Sequence, residues 1–172
     1  MQSRRELQQD KKNRSAGKSI RNILIAIVVI IAVMGIFYLI SNQPRAAARR
    51  QTVSIAKKYA HLKDPGSFYI YNRESTYYTI AGKNDNNQPI LVVVPQHGGN
   101  VRVLKQSSGL TAQQVTQQIQ QARKPQKVLK VAPGVFNDKV VWEVTYRNKK
   151  GQLCYDLVNF KSGKVVQTIN NL

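Results

Sequence analysis

Residues 23–40, ILIAIVVIIAVMGIFYLI, form an apolar run without a charged or strongly polar side chain. As a helix rising 1.5 Å per residue, the run would extend about 27 Å, close to a bilayer's hydrocarbon core of about 30 Å. A core helix of a soluble domain would keep a polar face, and this run has none. Phe37 and Tyr38 lie near its far end, where amphipathic rings suit the interface. The reading is a basic tail at 1–22 and a transmembrane signal-anchor at 23–40. Ala46-Ala47-Ala48 offers a cleavage-like pattern, but the run exceeds a signal core of about 7–15 residues, and Arg45 and Arg49 flank the alanines. Basic residues before the run slightly outnumber those just after it. With a short tail, that bias places the N-terminus in the cytoplasm and residues 41–172 outside the cell.

The formal net charge is +19, from 27 basic and 8 acidic residues. Such an excess favours polyanions: anionic wall polymers, lipid headgroups or nucleic acid. The cations are scattered and the aromatics interleave with core positions, which argues against specific nucleic-acid binding. A single cysteine, Cys154, allows no internal disulfide, and no Cys/His cluster has metal-ligand spacing. His61 and His97 stand far apart, without ligand-like neighbours in sequence. No metal site, cofactor site or catalytic constellation is expected.

The remainder matches its own pattern at a shift of 64 residues. The stretch 75–104 lies over 139–168, with Tyr78 on Trp142, Asn84 on Asn148, Gln88 on Gln152 and Gly99 on Gly163. Two copies of one small unit are expected, at 41–107 and 108–172. Each opens with a helix. In the first, Thr52, Ile55, Tyr59 and Leu62 recur at helical spacing, and Asp64-Pro65-Gly66 supplies a stop. In the second, Thr111 and Gln114 form a capping box, and Val115, Ile119 and Ala122 make an apolar stripe before Pro125. Strands are expected at 67–73, 76–82, 89–95 and 100–105, and at 126–132, 139–147, 152–160 and 164–169. The fold class is α+β, each unit a helix on a small antiparallel sheet.

A turn at 148–151 would pair Arg147 with Gln152 and set Glu143 opposite Asp156. Trp142, Val144 and Tyr146 would then share the core face with Leu153, Tyr155 and Leu157, while Cys154 points outward beside the acids. Opposed like charges cost a few tenths to about 1 kcal/mol. Catalysis would want one acid desolvated in a pocket. Glu143 and Asp156 are therefore read as a solvated face or a partner contact. In the first copy, Tyr77, Thr79 and Ala81 would share a face with Ile90, Val92 and Val94, with Tyr69 and Tyr71 alongside. That apolar face either packs on the second unit or docks a partner, which makes Tyr77, Ile90, Val92 and Val94 candidate partner-binding residues.

The second copy resembles a PepSY-type domain through WEVTY (142–146), NKKGQ (148–152) and YDLVNFKSGKVV (155–166), with Asn159 where that family usually has Asp. The first, with YYTIAGKNDNNQPILVVV, is similar to the partner domain of the TseB/YpmB family, which also has a basic tail and one span. The resemblance implies a single-pass, non-enzymatic surface protein of Gram-positive bacteria. Its implied role is regulation of cell-wall elongation through a class B penicillin-binding protein. Because PepSY domains also occur in protease propeptides, the second reading it implies is an inhibitor or chaperone of a secreted or membrane peptidase.

Overall fold

A computed structural model describes the backbone of residues 4–170 and the side chains of residues 21–38 and 43–170. The side chains of residues 1–20 of the expected basic tail, and of residues 39 and 40 of the expected span, lie outside those described. The chain divides into two units, Met1–Ala46 and Ala47–Leu172.

One helix, α1, runs from Arg4 to Ala60. Pro44 lies inside it, just before the unit boundary, where its ring removes one backbone hydrogen bond. In the first unit the apolar side chains from Ile23 to Tyr38 are solvent-facing, with Phe37 70% exposed. Among the described residues this is the one helix long and apolar enough to cross a membrane, and none of that apolar window is buried. It is a candidate membrane anchor.

The second unit carries its own core. After α1 come β1 (Leu62–Asn72), β2 (Thr76–Asn84), β3 (Pro89–Pro95) and β4 (Arg102–Lys105). Then follow α2 (Ala112–Arg123), β5 (Lys127–Phe136), β6 (Lys139–Arg147), β7 (Leu153–Asn159) and β8 (Val165–Ile169). The strands form two four-stranded antiparallel sheets, β1-β2-β3-β4 and β5-β6-β7-β8, so helices and antiparallel sheets share one compact unit.

Helix α1 ends earlier than expected. His61 takes the left-handed conformation (φ +50°) that closes a helix, and Asp64-Pro65-Gly66 falls within β1. Pro65 is tolerated there because β1 is an edge strand with a bulge between Pro65 and Phe68. The buried stripe of the helix is Thr52, Ala56 and Ala60, and Tyr59 is exposed. These small residues let the helix sit close on Ile80, Ile90, Val92 and Val94.

Helix α2 begins as expected. Gln114 N donates to Thr111 Oγ1 (3.2 Å) and Thr111 N to Gln114 Oε1 (2.8 Å). Lys124 closes it in the left-handed conformation (φ +47°). Val115 and Ile119 are fully buried on Trp142, Val144 and Phe160, whereas Ala122 is exposed, so the stripe stops one turn short. Burying side chains of this size stabilises by about 1.5–3 kcal/mol each.

The shift of 64 reappears as geometry. Asn84 N donates to Gln88 O, and Asn148 N to Gln152 O. Asn84 Oδ1 accepts from Asn86 N and Gln88 N, as Asn148 Oδ1 does from Lys150 N and Gln152 N. Asn87 and Gly151 both have positive φ. The pairing beyond each turn corresponds too: Lys83 faces Pro89, and Arg147 faces Leu153.

The sheets meet where β1 and β2 lie against β5. Thr79 Oγ1 donates to Pro133 O (3.2 Å), and the Tyr69 ring meets Trp142 edge-on at 6.0 Å. A Cβ at Gly134 would run into the ring of buried Tyr71, so only glycine permits this approach.

Candidate functional site

The Asn148 turn holds Gln152 within the loop, so β7 pairs one residue later than the sequence pattern suggests. Arg147 faces Leu153, Glu143 faces Leu157 and Val144 faces Asp156. A one-residue slip exchanges the two faces of a strand. Cys154, Asp156 and Val158 therefore join Trp142, Val144 and Tyr146 under α2, and Tyr155 and Leu157 lie on the Glu143 side. Glu143 and Asp156 are not opposed on one solvated face; both are buried, on opposite faces.

Asp156 is held from three directions. Arg123, in the last turn of α2, donates from Nε to Oδ2 (2.8 Å). Thr168 of β8 donates to Oδ1, and the Tyr146 hydroxyl lies 3.4 Å from Oδ2. The hydrogen bond to Asp156 raises the Arg123 pKa above its usual value. Burial, with the Asp156 charge second, pushes the Tyr146 hydroxyl up to about 12. The carboxylate ties the end of α2 to its sheet, where basic side chains also complement the helix dipole.

Glu143 meets Arg73 Nε at 2.8 Å and Lys130 Nζ at 3.5 Å. Arg73 also donates to Gln167 Oε1 (3.2 Å) and lies over the Tyr155 ring. Arg73, Lys130, Glu143 and Tyr155, with Asn72, Thr145 and Ile169, line a cleft of about 360 Å³. Each acid is matched by its own cation, an arrangement suited to joining elements. Cys154 is buried, which withholds its thiol from solvent. His61 lies 3.6 Å from Asp85 at the exposed surface. Among the described residues no three His, Cys, Asp or Glu side chains gather in a metal-binding group.

The face expected to dock a partner divides in two. Tyr78, Ile80 and Gly82 oppose Val94, Val92 and Ile90. Ile90, Val92 and Val94 are thereby buried in the core beneath α1, and Ile90 and Val92 are out of a partner's reach. Here too the pairing is one residue later than the sequence pattern suggests. Tyr77 takes the other face, half-buried beside Tyr71 and Phe136, where the sheets meet.

A different apolar surface is open. Tyr59 is 61% exposed and Val103 47%. With Ile55, Val94, Pro95 and the loop Gly98–Val101 they line a groove of about 690 Å³. The loop is shaped by Gly98 (φ +55°) and Gly99 (φ +100°), conformations that favour glycine. The sequence signal for this surface is the offset of Ile55 and Tyr59 from the small-residue stripe Thr52, Ala56 and Ala60.

The model of the cell wall elongation regulator TseB-like domain matches residues 51–95, from the end of α1 through β3. That match, over about a quarter of the chain, supports the TseB/YpmB family. The YpmB protein from Bacillus subtilis has the same fold, with a TM-score of 0.64 at 22% sequence identity, over 70% of this chain and 95% of that one. A Clostridium difficile 630 protein described as a candidate lipoprotein aligns over 69% of this chain and 90% of its own, at 16% identity and a TM-score of 0.39. No curated protein matches. The TseB-like domain match implies a role in regulating cell-wall elongation.

Proposed function

We propose that the protein is a membrane-anchored, non-enzymatic accessory factor that regulates cell-wall elongation by binding a peptidoglycan synthase, a class B penicillin-binding protein. Residues 23–40 anchor it, with the N-terminus in the cytoplasm and residues 41–172 outside a Gram-positive cell. The observation that carries this reading is the TseB-like match over 51–95, a region that contributes Ile55, Tyr59, Val94 and Pro95 to the open groove. The docking surface in this reading is that groove, centred on Tyr59, because a rimmed apolar surface is where protein partners are recognised. The basic surface additionally favours anionic wall polymers and headgroups.

The test is photo-crosslinking in living cells, with a crosslinker at Tyr59 and a control at Lys149. The expected adduct at Tyr59 contains a penicillin-binding protein and is absent at Lys149. No such adduct, together with unchanged cell width, cell length and β-lactam response on deletion, would overturn the reading.

A further inference from the structure

Between β4 and the start of β6 lies a cleft of about 550 Å³, within the size range of small-molecule sites. Val103, Leu104, Val140 and Phe160 supply its apolar walls, and Arg102, Lys139, Lys161 and Asp138 its charged rim. The one acid of this rim is already matched. Arg102 Nη2 donates to Asp138 Oδ1 and Nη1 to the Asp138 carbonyl, both at 2.6 Å. Asn137 and Asp138 both have positive φ, as a two-residue hairpin turn requires, so the position of this acid is set by the backbone. Asn159 is also committed, its Oδ1 accepting from Lys161 N, Ser162 N and Ser162 Oγ. Two ammonium groups, on exposed Lys139 and Lys161, have no acidic partner among the described residues.

The apolar walls suit an alkyl chain. The two unmatched point charges suit a head of charge near −2, and lysine binds phosphate in that way. We propose that this cleft binds a single anionic amphiphile, an alkyl phosphomonoester, with its chain on Val140 and Phe160 and its head between Lys139 and Lys161. The inference does not depend on the synthase reading.

Trp142 is the only tryptophan of the chain, and its ring lies 6.5 Å from that of Phe160. Its fluorescence therefore reports a brominated ligand in the cleft. The experiment titrates the full chain, in dodecyl maltoside micelles, with 6-bromohexyl phosphate. Saturable quenching is expected, about tenfold weaker in K139E/K161E and unchanged in K149E/K150E. Should the double reversal fail to fold, K139Q/K161Q serves, with about threefold weakening expected. Neutral 6-bromohexanol and monoanionic 6-bromohexanoate are expected to bind at least about tenfold more weakly than the phosphate. Equal quenching of the wild type and the lysine variants would overturn the proposal. So would equal quenching by 6-bromohexanol, which would mean apolar partition alone, or by 6-bromohexanoate, which would mean a site for any anion. Displacement by inorganic phosphate at equal concentration would also overturn it, since the chain would then contribute nothing.

Discussion

Arg73 Nε, just beyond β1, lies 2.8 Å from Glu143 Oε2 in the middle of β6. The same guanidinium reaches Gln167 on β8, and Lys130 of β5 completes the group. One buried carboxylate thus joins the first sheet to the second. Removing a partner from such a pair leaves charge uncompensated, a loss of about 3–5 kcal/mol when fully buried. Arg73 retains some access to solvent, so Glu143→Gln should cost about 2–3 kcal/mol in urea unfolding. A change below about 0.5 kcal/mol, as for an ordinary surface site, would show that the clamp does not matter. A double-mutant cycle with Arg73→Ala measures the coupling directly.

The strands, the turns and the second helix were legible because each has a local signal: Asn–Gln turns, a capping box and runs of β-branched residues. Register was not. Both β3 (PILVVVP) and β7 (LCYDLVN) are buried along most of their length, so their alternation carries little phase information. The phase rests on the backbone pairing of Asn84 with Gln88 and of Asn148 with Gln152, which lengthens each turn by one residue. That slip moved Ile90, Val92 and Val94 into the core and separated Glu143 from Asp156. The Arg73–Glu143 and Arg123–Asp156 pairs join residues distant in sequence, which no local pattern reveals.

Tyr71 is buried, and its hydroxyl has no hydrogen-bond partner among the described residues. An unsatisfied buried hydroxyl costs about 1–3 kcal/mol. Tyr71→Phe should therefore stabilise the protein by about 1 kcal/mol at neutral pH, read as a higher urea midpoint with unchanged slope. A destabilised variant would mean that the hydroxyl is satisfied after all.

The same ring bears on alkaline stability. Burial pushes the hydroxyls of both Tyr71 and Tyr146 up to about 12 from the ordinary 10. Between those values the unfolded chain has lost protons that the native protein still holds. Stability is therefore fully present below about pH 10 and falls as pH rises toward 12. Y71F/Y146F should flatten this part of the profile, measured by urea unfolding from pH 9 to 12. An unchanged slope would assign the loss to other groups.

Gly134 tests how closely the sheets approach. A Cβ there meets the ring of Tyr71, which is fully buried and cannot swing aside freely. Gly134→Ala should cost about 2–3 kcal/mol through overpacking. Gly151→Ala makes a control of a different kind. Its φ is +80° but nothing lies within 4 Å, so only backbone strain of about 1–2 kcal/mol is expected. Combining Gly134→Ala with Tyr71→Leu should recover part of the first loss but none of the second, which thermal unfolding of the paired variants resolves.

Asn84 and Asn148 make the same contacts at a separation of 64 residues, and each side chain accepts from two backbone N–H groups. Asn84→Ala and Asn148→Ala should each cost about 1 kcal/mol, because the turn loses its internal acceptor while its N–H groups turn to water. The two turns differ at the position of positive φ. Gly151 adopts that conformation without penalty, while Asn87 holds the corresponding place with φ +61°. Asn87→Gly should therefore stabilise by a few tenths of a kcal/mol, whereas Gly151→Asn should not. Equal small losses at the two asparagines, with opposite signs at 87 and 151, would show that one turn design is used twice. A loss confined to Asn148 would show instead that the first hairpin is held by its packing under α1, with its turn merely adapting to that packing.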